Sequence, residues 1–122
     1  MRSFGELEAT IMDVMWQRAE PATVREVLNA ISNERELAYT TVMTVMDNLH
    51  RKGFLRREQV GRAFQYEPTQ LREEYVANLM HEAMQEAHDH SLTFTHFIAQ
   101  MTSEESDALR KALRRRPRRS TS

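Results

Sequence analysis

The stretch that decides the fold is residues 38–54, which read A-Y-T-T-V-M-T-V-M-D-N-L-H-R-K-G-F. Four apolar side chains recur there at the spacing of one helix face: Val42, Val45, Met46 and Leu49. Thr40 is predicted to cap this helix, because its hydroxyl can accept a hydrogen bond from an unpaired amide of the first turn. Gly53 is predicted to end it, because glycine adopts the left-handed conformation without a steric penalty.

The opposite face of the helix is polar and becomes cationic towards its C-terminal end. Its members are Thr40, Thr41, Thr44, Asp47, Asn48 and Arg51. Short polar side chains of this kind can enter a DNA major groove and form hydrogen bonds with base edges and phosphates. An ordinary amphipathic helix with a solvated polar face is the alternative, so the neighbouring segments must decide between the two.

A β-hairpin is predicted directly after this helix. Residues 54–60 and 63–68 are short segments with β-branched or aromatic side chains, and a Gly61-Arg62 turn separates them. Residues 51–62 carry five cations against one acid, with Arg62 at the tip of the hairpin. A helix followed by a cationic hairpin is typical of a winged helix-turn-helix, in which the helix reads bases and the hairpin grips the neighbouring backbone.

Two further helices are predicted upstream. Residues 4–18 place apolar side chains at helical spacing, and Pro21 follows the end of this helix. Thr23 and Glu26 have the spacing of a capping box at the start of the second helix. Three helices and a hairpin in about seventy residues can enclose one small core. The predicted fold is therefore mainly α with a small β-hairpin, a winged helix-turn-helix DNA-binding domain over residues 1–70.

The second half of the chain is predicted to form a helical dimerisation domain over residues 71–113, with Thr102 or Ser103 capping its last helix. The residues expected at the dimer interface are apolar or aromatic: Tyr75, Leu79, Met80, Ala83, Phe97, Ile98, Leu109 and Leu113. These helices have more apolar surface than one chain of this size can bury, and a two-fold partner would cover it. A monomer whose helices fold back on the wing domain is the alternative.

Composition is consistent with a DNA-binding protein, although the net charge of 122 residues is only −1. The cations are concentrated in residues 51–62, and the acids are expected mostly elsewhere. Residues 114–122, R-R-R-P-R-R-S-T-S, are predicted to be a disordered basic tail that attracts phosphates. The absence of cysteine excludes disulfides, and the absence of a signal peptide or an apolar run near 20 residues predicts a cytoplasmic protein.

Residues 4–113 resemble the penicillinase (β-lactamase) repressor family of bacterial winged-helix regulators. The resemblance rests on G-E-L-E at residues 5–8, M-D-V-M-W at 12–16, A-Y-T-T-V-M-T-V-M-D-N-L followed by R-K-G, and G-R-A-F-Q-Y-E-P at 61–68. It implies a homodimeric repressor on palindromic operators, upstream of β-lactamase or cell-envelope and stress genes. It also implies a membrane sensor-protease pathway that cleaves the repressor within its dimerisation segment, here near His96 and Phe97.

The predicted DNA contacts follow from the reach of each side chain. Arg51 is expected to bind a phosphate, and Arg62 is expected to bind the backbone or enter the minor groove. The residues expected to face base edges or nearby phosphates are Thr40, Thr41, Thr44 and Asn48. A winged helix used for protein contact is a further alternative, which would predict weak DNA binding without sequence preference.

Catalysis is not predicted, and neither is a cofactor. His81-Glu82 begins an H-E-x-x-H pattern, but Gln85 occupies the position of the second histidine. A metal-responsive repressor is the main alternative function, because His81, His88, Asp89 and His90 carry ligands that suit zinc, copper or nickel. Histidines near a helix C-terminus also complement the helix dipole, so no metal site is predicted.

Overall fold

The structure is a computed structural model that describes residues 4–31 and 36–116. Over these ranges the elements run in the order α1 (Glu6–Gln17), α2 (Val24–Ile31), α3 (Tyr39–Arg51), β1 (Leu55–Val60), β2 (Ala63–Pro68), α4 (Arg72–Met84), α5 (His90–Ala99) and α6 (Ser103–Arg114). The predicted fold class, mainly α with one small hairpin, is confirmed. The chain divides into two compact units, Met1–Glu82 and Ala83–Ser122, whereas the sequence predicted a boundary at residue 70.

The core of the first unit is built from the predicted apolar faces of α1, α2 and α3. Of the α3 stripe, Val42, Met46 and Leu49 are buried, while Val45 packs against the core from its edge. They meet side chains of α1, α2 and the hairpin, of which the fully buried ones are Ile11, Met12, Met15, Val27, Leu55 and Tyr66. Burial of this one continuous cluster leaves the opposite face of α3 in solvent.

Of the two predictions for the ends of α3, the one at the C-terminal end is confirmed and the one at the N-terminal end is not. The predicted cap at Thr40 is wrong, because the helix begins at Tyr39 and its N-cap is Ala38, which has no side chain able to cap. The Ala38 carbonyl accepts from the amides of Thr41 and Val42, so Thr40 is already inside the first turn. The predicted stop at Gly53 is confirmed, since this residue has φ 91° directly after the C-cap.

The hairpin has the predicted position and turn. Val60 pairs with Ala63 across the turn, and Gly61 adopts the left-handed φ of 65° that the turn requires. At its other end the hairpin joins the core, because Tyr66 exchanges two backbone hydrogen bonds of 2.8 and 2.9 Å with Ala22. Ala22 precedes α2, whose predicted capping box between Thr23 and Glu26 is present.

The start of α4 belongs to the first unit. Tyr75 stacks on the Phe4 ring at a centroid distance of 4.3 Å, and its hydroxyl accepts a hydrogen bond of 3.0 Å from the Phe4 amide. Trp16 and Phe54 pack beside these two rings. The predicted role of Tyr75 in dimerisation is therefore corrected, because its ring is buried within its own chain.

The second unit, taken by itself, has little interior. α5 is capped by the Asp89 carboxylate. α6 is capped by Thr102, one of the two residues predicted for this role, in a capping box with Glu105. Neither helix contains a buried residue. The predicted tail begins too early, because Arg114 is still the last residue of α6; residues 117–122 lie outside the described part of the chain.

Candidate nucleic-acid interface

The exposed face of α3 presents four polar side chains that have no partner among the residues the structure describes. Thr40, Thr41, Thr44 and Asn48 are exposed, and within residues 4–31 and 36–116 their side chains form no hydrogen bond. Hydroxyl and amide groups in this state are available to donate to or accept from the edges of bases. The face arises because the apolar stripe of α3 is buried on the other side of the same helix.

Arg62 lies at the turn of the hairpin, directly after Gly61, and is exposed. Of the cations in residues 51–62, it is the one for which the described part of the chain supplies no ion pair and no hydrogen bond. Its guanidinium group, which carries five N–H donors, is therefore free to bind a phosphate or to reach into a minor groove.

The other cations of this stretch are paired with acids from outside it. Lys52 Nζ lies 2.7 Å from Glu8 Oε2, and Arg56 Nε lies 2.7 Å from Glu67 Oε1. The Lys52 ammonium, together with the Gly5 amide, holds the pKa of the Glu8 carboxyl below its ordinary value. Folding therefore brings three acids, Glu8, Asp47 and Glu67, to the cationic cluster, although they lie outside residues 51–62 in the sequence.

Asp47 connects α3 to the hairpin through two arginines. Its Oδ1 atom accepts a hydrogen bond of 2.8 Å from Arg57 Nη1 on β1, and its Oδ2 atom lies 3.0 Å from Arg51 Nη2, one turn along α3. Arg57 also donates to the Tyr66 hydroxyl at 3.3 Å and lies 4.2 Å from the centre of the Phe64 ring. The hydrogen bonds to Tyr66 and Asp47 raise the pKa of Arg57 above its ordinary value.

These contacts give Arg57 a different role from Arg62. Its side chain is 25% exposed and that of Asp47 is 28% exposed, so their hydrogen bond is partly shielded from water. Arg51 remains 74% exposed although it shares the same carboxylate. Arg57 therefore links the hairpin to α3, while Arg51 and Arg62 stay accessible at the surface.

Comparison with known proteins identifies the family to which this chain belongs. The family described as penicillinase repressor matches residues 4–115. The chain belongs to this family. It is 44% identical over 112 residues to the transcriptional regulator BlaI of two strains of Mycobacterium tuberculosis, CDC 1551 and H37Rv, covering 89% of this chain and 81% of theirs.

Solved structures agree with this assignment. The DNA-binding domain of the repressor BlaI aligns with a TM-score of 0.53 and 26% identity, over 60% of this chain and 88% of that one. A MarR family protein from Bacillus stearothermophilus aligns with a TM-score of 0.51 and 14% identity, over 93% of this chain and 73% of its own, and so supports the fold alone. The protein is thus a transcriptional repressor with a winged-helix DNA-binding domain, in a family of regulators and not of enzymes.

Three exposed residues near the reading face of this repressor are not indicated by the sequence pattern. Arg25 of α2 lies over the Tyr39 ring, 4.8 Å from its centre, at the beginning of α3. The sequence gives no sign of this pair, because its members lie in different helices. Met43 is 41% exposed beside Thr44, although methionine at helical spacing usually indicates core.

The side chains of the metal-responsive alternative do not form a site in this member of the family. Over the described ranges no three His, Asp or Glu side chains come together as metal ligands. The Asp89 carboxylate instead accepts the Leu92 amide as the cap of α5. α4 ends at Met84, so His88 lies in the connection after it. None of the described helices combines the length and the apolar character needed to cross a membrane.

The candidate dimerisation residues other than Tyr75 are exposed or only partly buried. Those with large exposed apolar side chains are Met80, Phe97, Ile98 and Leu113. Ala83 is also exposed, and Leu79 and Leu109 are partly buried. The His96 and Phe97 of the predicted cleavage site lie within α5, where both are exposed.

We predict that replacing Asp47 by alanine lowers the free energy of unfolding of this repressor by about 1–2 kcal/mol, because it leaves the partly buried Arg57 without its charged acceptor. The matched control is Glu67→Ala, which removes the exposed partner of Arg56 on the same hairpin and is expected to cost about 0.5 kcal/mol or less. Urea denaturation measures both values. Equal losses would show that Asp47 does not hold the hairpin.

Proposed function

We propose that this repressor inserts α3 into the major groove of double-stranded DNA and reads its sequence there. The single observation that carries this proposal is the set of exposed polar groups on α3 without partners in the described chain. Thr40, Thr41, Thr44 and Asn48 then contact base edges or nearby phosphates, and Arg51 binds a phosphate. Arg62 binds the backbone or minor groove from the hairpin, as the wing of a winged helix does.

The proposed assembly is a homodimer held together by residues 71–113. Its support is the exposure of the α5 and α6 apolar side chains, which include Phe97 and Ile98. Helices that bury none of their own residues need another surface to cover them. A second copy of the same chain supplies that surface, and the two-fold symmetry presents two copies of α3 to two half-sites of a palindromic operator. The half-sites are then separated by about 34–36 Å or a multiple of it.

The proposed targets are operators of β-lactamase genes or of cell-envelope and stress genes. Support comes from the description of the matching family as penicillinase repressor. The place of action is the cytoplasm, because a bacterial repressor must have access to the chromosome. Residues 114–122, the first of which ends α6, add cations that attract DNA without sequence preference.

We further propose that regulated proteolysis near His96-Phe97 inactivates the repressor. Both residues lie inside α5, so a protease can bind this peptide bond only after the helix opens locally. The exposure of the α5 apolar side chains means that few contacts within the chain oppose this opening. Cleavage separates Ile98 and all of α6 from the DNA-binding unit and thereby weakens operator binding.

The different roles proposed for α3 and the hairpin predict two different effects of mutation on DNA binding. Thr44→Ala or Asn48→Ala relaxes sequence preference and costs about 1–3 kcal/mol on the best operator, because a base contact is lost. Arg62→Ala weakens binding to all sequences alike and reduces the slope of log K against log salt by about one per protomer. Binding to DNA selected from a random library and to unrelated DNA, titrated against salt, measures both effects.

The control for Arg62 is Arg56→Ala, which removes a hairpin cation that Glu67 already neutralises. Its expected effect on the salt slope is smaller than that of Arg62→Ala. Equal loss of sequence preference in the Thr44 and Arg62 variants would contradict the proposed roles.

Dimerisation through α5 predicts that Ile98→Asp raises the dimer dissociation constant by about 100-fold or more, because a charge is buried where an apolar contact was made. The matched control is Thr95→Asp, which places the same charge at an exposed polar position of α5. Sedimentation equilibrium measures both dissociation constants. A wild-type chain that is monomeric at micromolar concentration would overturn the proposed dimer.

Proteolytic control predicts a shortened repressor after induction. Co-expression with a cognate membrane sensor and treatment with a β-lactam should yield a fragment that ends near His96, detected by mass spectrometry of the purified repressor. A chain that stays intact in induced cells would rule out this mechanism.

A further inference from the structure

Met43 is a large apolar side chain exposed beside the polar face of α3. It is 41% exposed and does not belong to the described core or to the side chains packed against it. Thr40 lies one turn before it and Asp47 one turn after it, and Thr44 is its neighbour in sequence. An apolar group therefore lies among the polar groups that the proposed function assigns to base edges.

The major groove offers one apolar feature that such a side chain can contact. Thymine carries a C5 methyl group there, whereas cytosine presents an N4 donor and no methyl. A methionine side chain is unbranched, flexible and polarizable, so it can adjust to a small apolar target. Met43 also lies in the N-terminal half of α3, the part of a recognition helix that approaches base edges.

We infer that Met43 is a specificity-determining residue that packs against the C5 methyl of one thymine in each half-site. This inference rests on the proposed insertion of α3 into the major groove. It assigns to Met43 a preference for thymine over cytosine, because the thioether side chain cannot accept a good hydrogen bond from the cytosine amino group. The hydroxyls of Thr40 and Thr44, which are unpaired within the described part of the chain, then contact neighbouring bases.

The test removes the methyl from the DNA and the thioether from the protein in turn. Duplexes that bind the full-length chain are first selected from a random library. Each thymine of the selected sequence is then replaced by deoxyuridine, symmetrically in both half-sites, and dissociation constants are measured for wild type and Met43→Ala. At one position the wild type should lose about fourfold per half-site, the ratio expected for one buried methyl-sized group. Met43→Ala should bind the thymine and uracil duplexes equally.

Two further variants keep the result interpretable. Met43→Leu retains an apolar side chain and should restore most of the difference between thymine and uracil. Val60→Ala, which shortens an exposed apolar side chain of the hairpin, should leave that difference at the wild-type value. Thermal unfolding of all variants establishes that each is folded at the temperature of the binding assay.

The outcomes separate this inference from the proposed function. If a consensus sequence is selected but wild type and Met43→Ala respond alike to every uracil substitution, the role of Met43 is overturned and the reading of DNA by α3 is retained. If no consensus is selected at moderate salt, sequence-specific reading fails, and the role of Met43 fails with it.

Discussion

The position of the hairpin relative to α3 depends on one carboxylate. Asp47 accepts from Arg57 of β1 and lies beside Arg51 of its own helix, while Arg57 is held on its other sides by Tyr66 and Phe64. Leu55 and Tyr66 attach the hairpin to the core, but a two-stranded ribbon can still twist about such an attachment. The charged hydrogen bond, partly shielded from water, fixes the remaining degree of freedom. On the proposed function, α3 and the hairpin therefore meet a DNA duplex as one rigid surface.

The ion pairs around the hairpin limit the number of cations that this protein, whose net charge is −1, can offer to DNA. Glu8 and Glu67 neutralise two cations near the interface, and Asp47 engages two more. On the proposed function, the cations of residues 51–62 that are left for phosphates are Arg62 and the outer side of the exposed Arg51. Because non-specific affinity comes from phosphate neutralisation, these two residues alone contribute little affinity for unrelated DNA. On the proposed function, discrimination between DNA sequences comes from the uncharged groups of α3, so its hydroxyls, unpaired within the described part of the chain, matter more than the number of cations.

Periodicity was sufficient to predict the helices, the hairpin and the polar face of α3, because each is set by residues near one another in sequence. The failures involve contacts between distant residues. Glu8 and Lys52 are 44 positions apart, and Phe4 and Tyr75 are 71 apart, so no local pattern indicates that they meet. The prediction of a Thr40 cap was wrong for a different reason. The helix begins at Tyr39, and its N-cap residue, Ala38, has no side chain that can cap it. Residue type alone is also a poor guide at Met43, because methionine on a helix usually indicates core. Only the structure shows that this side chain is exposed.

The two compact units share one element, because α4 starts in the first and its last residues, after Glu82, belong to the second. Tyr75 anchors the beginning of this helix through the Phe4 ring and amide. On the proposed function, a cut at His96-Phe97 leaves that anchor and the whole winged helix intact. Such a cut acts on association and not on folding, since two linked half-site contacts bind far more tightly than either alone. On the proposed function, control by proteolysis therefore needs a weakly held segment outside the DNA-binding unit, and α5, with no buried residue, meets that requirement.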